Sequence, residues 1–274
     1  MGIEPIEYRP WKGERSAQGA RLYVIARSII RHKLKSAGVL VLLILGFLML
    51  HVLQMILMIL IPHETLEAQT MYDYMGSGGA FVIFGVLLAA VVTSDLIADD
   101  LAHSSFVLYF SRAIRVRDYL AGKSAAALFV MALLCFFPPI GVALAAIATQ
   151  SGDAYSGSAE VLGRTVAAAA VATVLFVPYG LLMSSLTKRR SYAAVGTFMS
   201  FFALTIVSQI FSEFDRAWEA ISPMDSLGYA YAWIFGVELP GDMSGWVVLT
   251  FLAGLVAVPS AVVYLKLKNH VVGA

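Results

Sequence analysis

Residues 97–123 read IADDLAHSSFVLYFSRAIRVRDYLAGK, a charged island between two long apolar runs. Within it Phe106, Val107, Leu108, Tyr109 and Phe110 form an unbroken apolar run, with Asp99 and Asp100 before it and Arg112, Arg115 and Arg117 after it. Five apolar residues are far too few to span a bilayer, which takes about 20. Such a run, fenced by charge, calls for a partner surface that removes it from water. Ser104 or Ser105 can cap a helix that starts there by accepting from its first backbone N–H groups, the acids then lying near its positive end and the arginines near its negative end. The stretch is expected to be a short capped helix between two spans.

Working outward, the chain of 274 residues is 59% hydrophobic and only 14% charged, against about 25% charged in soluble domains. Six segments, 37–61, 79–97, 121–148, 165–186, 192–211 and 245–265, are long and apolar enough to span a membrane. A lone apolar segment in hydrocarbon satisfies its backbone only as a helix. The expected fold is therefore all-α, a polytopic membrane protein with six transmembrane helices. It forms one domain over 1–274, divided into a segment 1–36, a six-span bundle 37–265 and a tail 266–274. Of the 19 Lys and Arg residues, only Arg164 and Arg216 fall outside the N-terminal segment, the 98–123 loop, the Lys188-Arg189-Arg190 turn and the tail, while the other three loops are acidic. The positive-inside rule then puts both termini in the cytoplasm of a multi-pass plasma-membrane protein. The lead before the first apolar run is too charged, and the run too long, for a cleaved signal.

Between Ala17 and Ser36, Leu22, Ile25, Ala26, Ile29 and Ile30 recur at helical spacing, while Arg27, Arg31 and Lys35 line another face. This predicts an amphipathic helix at the membrane surface, its basic side toward anionic lipid or a cytosolic partner.

The central stretch also resembles the first cytoplasmic loop of ABC type-2 exporter permeases. Ile97-Ala98-Asp99-Asp100, Ser105, Leu108, Phe110-Ser111-Arg112, Arg117 and Gly122-Lys123 fall into that family's register without a gap. Leu101 replaces the usual basic residue, Ser104 a glycine and Ala113 a proline. The resemblance implies a coupling helix seated in a groove of a separate ATPase, with Asp99, Asp100, Ser104, Ser105, Phe106, Leu108, Phe110, Arg112 and Arg117 as its loop. It further implies two copies of that ATPase, which bind ATP and Mg, and a second permease copy in a homo- or heterodimer. No cofactor bound by this chain and no nucleic-acid partner are expected.

Two functions follow. The first is the permease of an exporter of unidentified cargo. The alternative is a permease-like subunit that transmits ATPase motion to an external accessory protein, as in the copper-site assembly system of nitrous oxide reductase. A third class, a histidine- or carboxylate-dependent intramembrane enzyme, lacks a facing pair of such groups in the sequence. Gly122-Lys123-Ser124 mimics the end of a phosphate loop, but Arg117 stands where its first glycine is needed.

His51, Met55 and Met58 share one face of an ideal helix, which raises a soft-metal path against the plainer reading of a bundle-facing histidine; no metal site is assigned. Asp95 ends the second span and is expected to make a helix-end interaction. Pro138-Pro139, Pro178 and Pro259 are expected to kink their helices. Before the last span, ISPMDSLGYAYAWIFGVELP is too short for two crossings. Pro223, Tyr229 and Trp233 there mark an external interfacial or re-entrant hairpin, whose Ser222 to Leu227 core resembles the hairpin that caps the exit in the same permeases.

Overall fold

With no hydrogen-bond partners in lipid, apolar chain must close its backbone bonds within each crossing segment. The computed structural model describes residues 18–60, 67–76, 79–106, 109, 114–148, 155–239 and 243–272, and among these there is no strand. Helix α1 is Gln18–Lys33. Helix α2 (Ala37–Gly46) runs through a π-helical turn (Phe47–Val52) into α3 (Leu53–Leu60). Then follow α4 (Ala68–Gly76), α5 (Gly79–Thr93) and the short α6 (Ala98–Ala102). Helices α7 (Val116–Cys135) and α8 (Phe137–Ala148) make one crossing, and α9 (Tyr155–Leu186) and α10 (Arg190–Ser212) the next two. A 3-10 helix (Arg216–Ile221), α11 (Pro223–Phe235) and α12 (Gly245–Val272) complete the order.

Six stretches can cross a membrane: Ala37–Leu57, Ala80–Ala102, Val116–Ala148, Gly157–Leu186, Arg190–Ser212 and Gly245–Asn269. Each matches an expected span. The fourth begins earlier than hydropathy suggests because its helix starts with polar turns, where Glu160 and Arg164 pair at 2.5 Å and Arg164 Nη1 donates to the Phe235 carbonyl. The second, third and fourth spans are the most buried and form the centre, whereas the first, fifth and sixth expose most of their residues. Of the expected kinks, only Pro138-Pro139 coincides with a helix end: α7 stops at Cys135 and both prolines fall in the first turn of α8, where a missing N–H costs nothing. Pro178 and Pro259 lie inside continuous helices.

Three expectations take a definite form. The apolar side of α1 packs on α7 rather than resting wholly on lipid: a Cβ at Gly122 would lie 3.0 Å from Ile25 Cγ2, so glycine there lets the two helices touch. In the first span, which contains the π-helical turn, His51 is buried and bonded to Tyr74 while Met55, on the same cavity wall, is exposed; the Met58 side chain lies outside the described residues. Among the described residues no group of three or more His, Cys, Asp or Glu could hold a metal ion.

The third is the hairpin before the last span, a 3-10 helix followed by α11. Ser222 caps α11 by accepting from Asp225 N–H at 3.3 Å, Pro223 occupies its first turn, and Gly236 ends it at φ 76°. Leu227, Tyr231 and Phe235 are buried among α4, α9, α10 and α12. Of the aromatics expected at the interface, Trp233 is exposed and Tyr229 half-buried, its hydroxyl donating to Glu219. The helix is thus a lid built into the bundle.

Candidate functional site

The charged end of the bundle, where α1, α6, the loop to α7 and the α9–α10 turn meet, gathers the sequence's chemistry. Its geometry starts from a break in the second span. Where α5 stops at Thr93 and α6 starts at Ala98, backbone groups lose their helical partners and must find others. The hydroxyl of Ser184 on α9 meets three of them: it accepts from Ile97 N–H at 2.9 Å and Ala98 N–H at 3.0 Å and donates to the Ser94 carbonyl at 3.0 Å. One turn earlier on α9, Gly180 is required because a Cβ there would sit 1.9 Å from Thr93 Oγ1. Spans two and four are thereby joined where the loop begins.

Two buried ion pairs fix the loop's ends. Lys33 of α1 pairs with Asp95 and donates to the Val91 carbonyl at 3.2 Å. Burial pushes the Lys33 ammonium below its ordinary value, and the Asp95 carboxylate opposes that shift. Lys123 of α7 pairs with Asp100 of α6, donates to the Leu96 carbonyl and lies 4.5 Å from the centre of the Tyr119 ring. Tyr119 in turn donates to Asp100 Oδ2 at 2.6 Å. Each charge removed from water is thus met by an opposite charge and by neutral dipoles, which is the condition for burying it.

The expected loop residues divide accordingly. Asp100 is an inward partner of Lys123, not a free charge at a helix end, whereas Asp99 is exposed. Ser104 is not a cap: it takes a left-handed conformation, φ 53°, in the turn after α6. Ser105 remains the residue before a helical turn, its carbonyl accepting from Tyr109 N–H at 3.2 Å. Phe106 is only 6% exposed, its ring 5.7 Å from that of Tyr119, with Tyr109 at 5.3 Å from the same ring. In this conformation Phe106 anchors the loop to α7 and offers little to a partner. Leu108, Phe110 and Arg112 lie outside the described residues. Arg117 is exposed beside Asp118 at 3.6 Å. On α1, Arg27, Arg31 and Lys35 are exposed, as expected, and Arg27 lies over Tyr23.

Sequence reasoning missed Lys33, Lys123, Tyr119 and Ser184. Lys33 carried a signal, since it falls three and four residues after Ile30 and Ile29 on the apolar side of α1, where a cation needs a buried partner. Lys123 was legible only as part of the family register.

A family model described as ABC-2 family transporter protein matches residues 23–270, from within α1 almost to the end of α12. The chain belongs to the ABC-2 transporter family. It is a multi-pass membrane protein and a permease of that family, which implies partnership with an ABC ATPase and dimerisation in general terms. None of the curated proteins matches the chain. The permease's Gly122-Lys123 step now has a physical meaning: the glycine admits α1, and the lysine holds Asp100.

Proposed function

We propose that this permease is the membrane subunit of an ABC exporter and that residues 97–117 receive the motion of a separate ATPase. It works as a homo- or heterodimer with two ATPase copies, which bind ATP and Mg. It lies in the plasma membrane with both termini cytoplasmic, and its cargo is unidentified. One observation carries the reading: the loop is pinned at both ends by buried ion pairs, Lys33–Asp95 and Asp100–Lys123. A push on it therefore moves spans two and three and α1 as a unit instead of being absorbed by side-chain rearrangement. The absence of a phosphate loop in the chain requires that the push come from another subunit.

The exposed charges Asp99 and Arg117 set the docking orientation, and reversing them tests the reading. Asp99→Arg with Arg117→Glu should leave the permease folded but remove the ATPase from affinity purifications in mild detergent. Undiminished recovery of the ATPase with that double variant would refute the assignment.

A further inference from the structure

Beside the Lys33–Asp95 pair, on the side away from the loop, lies a polar cavity of about 290 Å³ bounded by α1, the end of α5 and the start of α10. Its wall carries the cations Lys33 and Arg190 with His32, against a single acid, Asp95, already engaged by Lys33. The Arg190 guanidinium has no hydrogen bond or ion pair among the described residues, and neither the Ser36 nor the Ser191 hydroxyl has a partner there. Arg190 and Ser191 are exposed and Ser36 half-buried, so the cavity offers solvent-reachable donors and surplus positive charge.

The surrounding backbone adds to that surplus. Ser36 stands at the cap position of α2 with extended backbone, yet its side chain makes no capping bond. Helix α10 opens on Arg190, directly after Lys188 and Arg189, so cations crowd the positive end of a 23-residue helix. That sign is unfavourable, since helix N-termini prefer anions. An anion in the cavity reverses the balance, meeting the Arg190 guanidinium and the Ser36 and Ser191 hydroxyls that line it. The cavity lies where the first and fifth spans begin, the depth at which a bilayer places its phosphates.

We propose that this cavity binds a phosphate group, supplied by an anionic lipid of the leaflet that faces the chain's termini. The bound headgroup bridges the α1–α2 linker to α10, joining the fifth span to the charged node described above. The inference requires neither an ATPase nor a cargo, so it stands or falls apart from the export reading.

The test uses the full-length chain purified in mild detergent, with native mass spectrometry and thermal unfolding in the presence of dioleoylphosphatidylglycerol, dioleoylphosphatidylcholine or inorganic phosphate. The wild type should retain phosphatidylglycerol in preference to phosphatidylcholine. Arg190→Gln with Ser191→Ala should weaken that retention about tenfold, the scale of one charge-assisted hydrogen-bonded contact. Arg189→Gln removes the same charge one residue away, from a guanidinium that lies over Tyr192 instead of lining the cavity, and should weaken it far less. If inorganic phosphate displaces the lipid with the same dependence on Arg190, the site stands and free phosphate is an alternative source of the group. Equal retention of the two lipids, or equal loss in the Arg189 and Arg190 variants, would reduce the effect to diffuse surface charge and overturn the proposal.

Discussion

Replacing Lys123 by methionine keeps the length and apolar stem of the side chain but removes its charge, leaving Asp100, among the described residues, with the Tyr119 hydroxyl as its side-chain donor. Breaking a buried pair from one side costs about 3–5 kcal/mol, because the remaining charge stays in a poor solvent. The Asp100 side chain keeps 14% exposure and its tyrosine donor, so the lower end, about 3 kcal/mol, is the appropriate expectation. At roughly 2–4 °C per kcal/mol for a chain of this size, Lys123→Met should lower the unfolding midpoint in detergent by about 6–12 °C. Adding Asp100→Asn removes the orphaned charge while keeping an acceptor for Tyr119, and should recover most of the loss. A Lys123→Met midpoint within about 2 °C of wild type, under 1 kcal/mol on that scale, would show that water already reaches the pair. So would a double variant less stable than the single one. Either result would remove the rigid anchor on which the coupling reading depends.

Two further outcomes test topology and the lid. Cys135 is fully buried, so a single cysteine placed at exposed Glu238 should react with an impermeant maleimide added to intact cells, whereas one at exposed Lys188 should react only after permeabilisation; the reverse pattern would invert the orientation. Burial, reinforced by Glu219, raises the Asp225 carboxyl above its ordinary 3.8, although the Ser222 contact opposes the shift. A raised folded pKa means stability that is full below pH 3.8 and lost as pH rises through the folded value. Asp225→Asn should therefore raise the unfolding midpoint at pH 7 and give no gain near pH 3.5, and an equal gain at both pH values would discard this account.

The spans were legible because lipid imposes one demand, length of apolar helix, and the sequence answers it in uninterrupted runs. The interior was less legible where two surfaces compete for the same residue types. The aromatics of α11 suit a membrane interface by composition, yet Leu227, Tyr231 and Phe235 recur at i, i+4 and i+8 and turn one stripe into the bundle, leaving Trp233 outside. That period was readable. The π-helical turn at Phe47–Val52 was not, since one extra residue in a turn leaves no mark on composition. The charges show the same split: a count of cations orients the chain but cannot tell exposed Arg31 from Lys33, which the fold buries against Asp95.

The buried state of Phe106 changes what a docking partner can recognise. An apolar run fenced by charge suggests a hydrophobic plug offered outward, but the Phe106 ring is spent on Tyr119, the residue that also orients Asp100. The apolar side chain and the ion pair thus meet at the same buried tyrosine. What the described loop offers outward is the exposed surface at Asp99, His103, Ser104 and Arg117. Across the α1–α7 contact it is joined by the cationic stripe of Arg27 and Arg31. Such a surface orients a partner through charge more than it holds one through apolar area. Within the fold, Asp100–Lys123 ties the start of the loop to span three and Lys33–Asp95 ties α1 to span two.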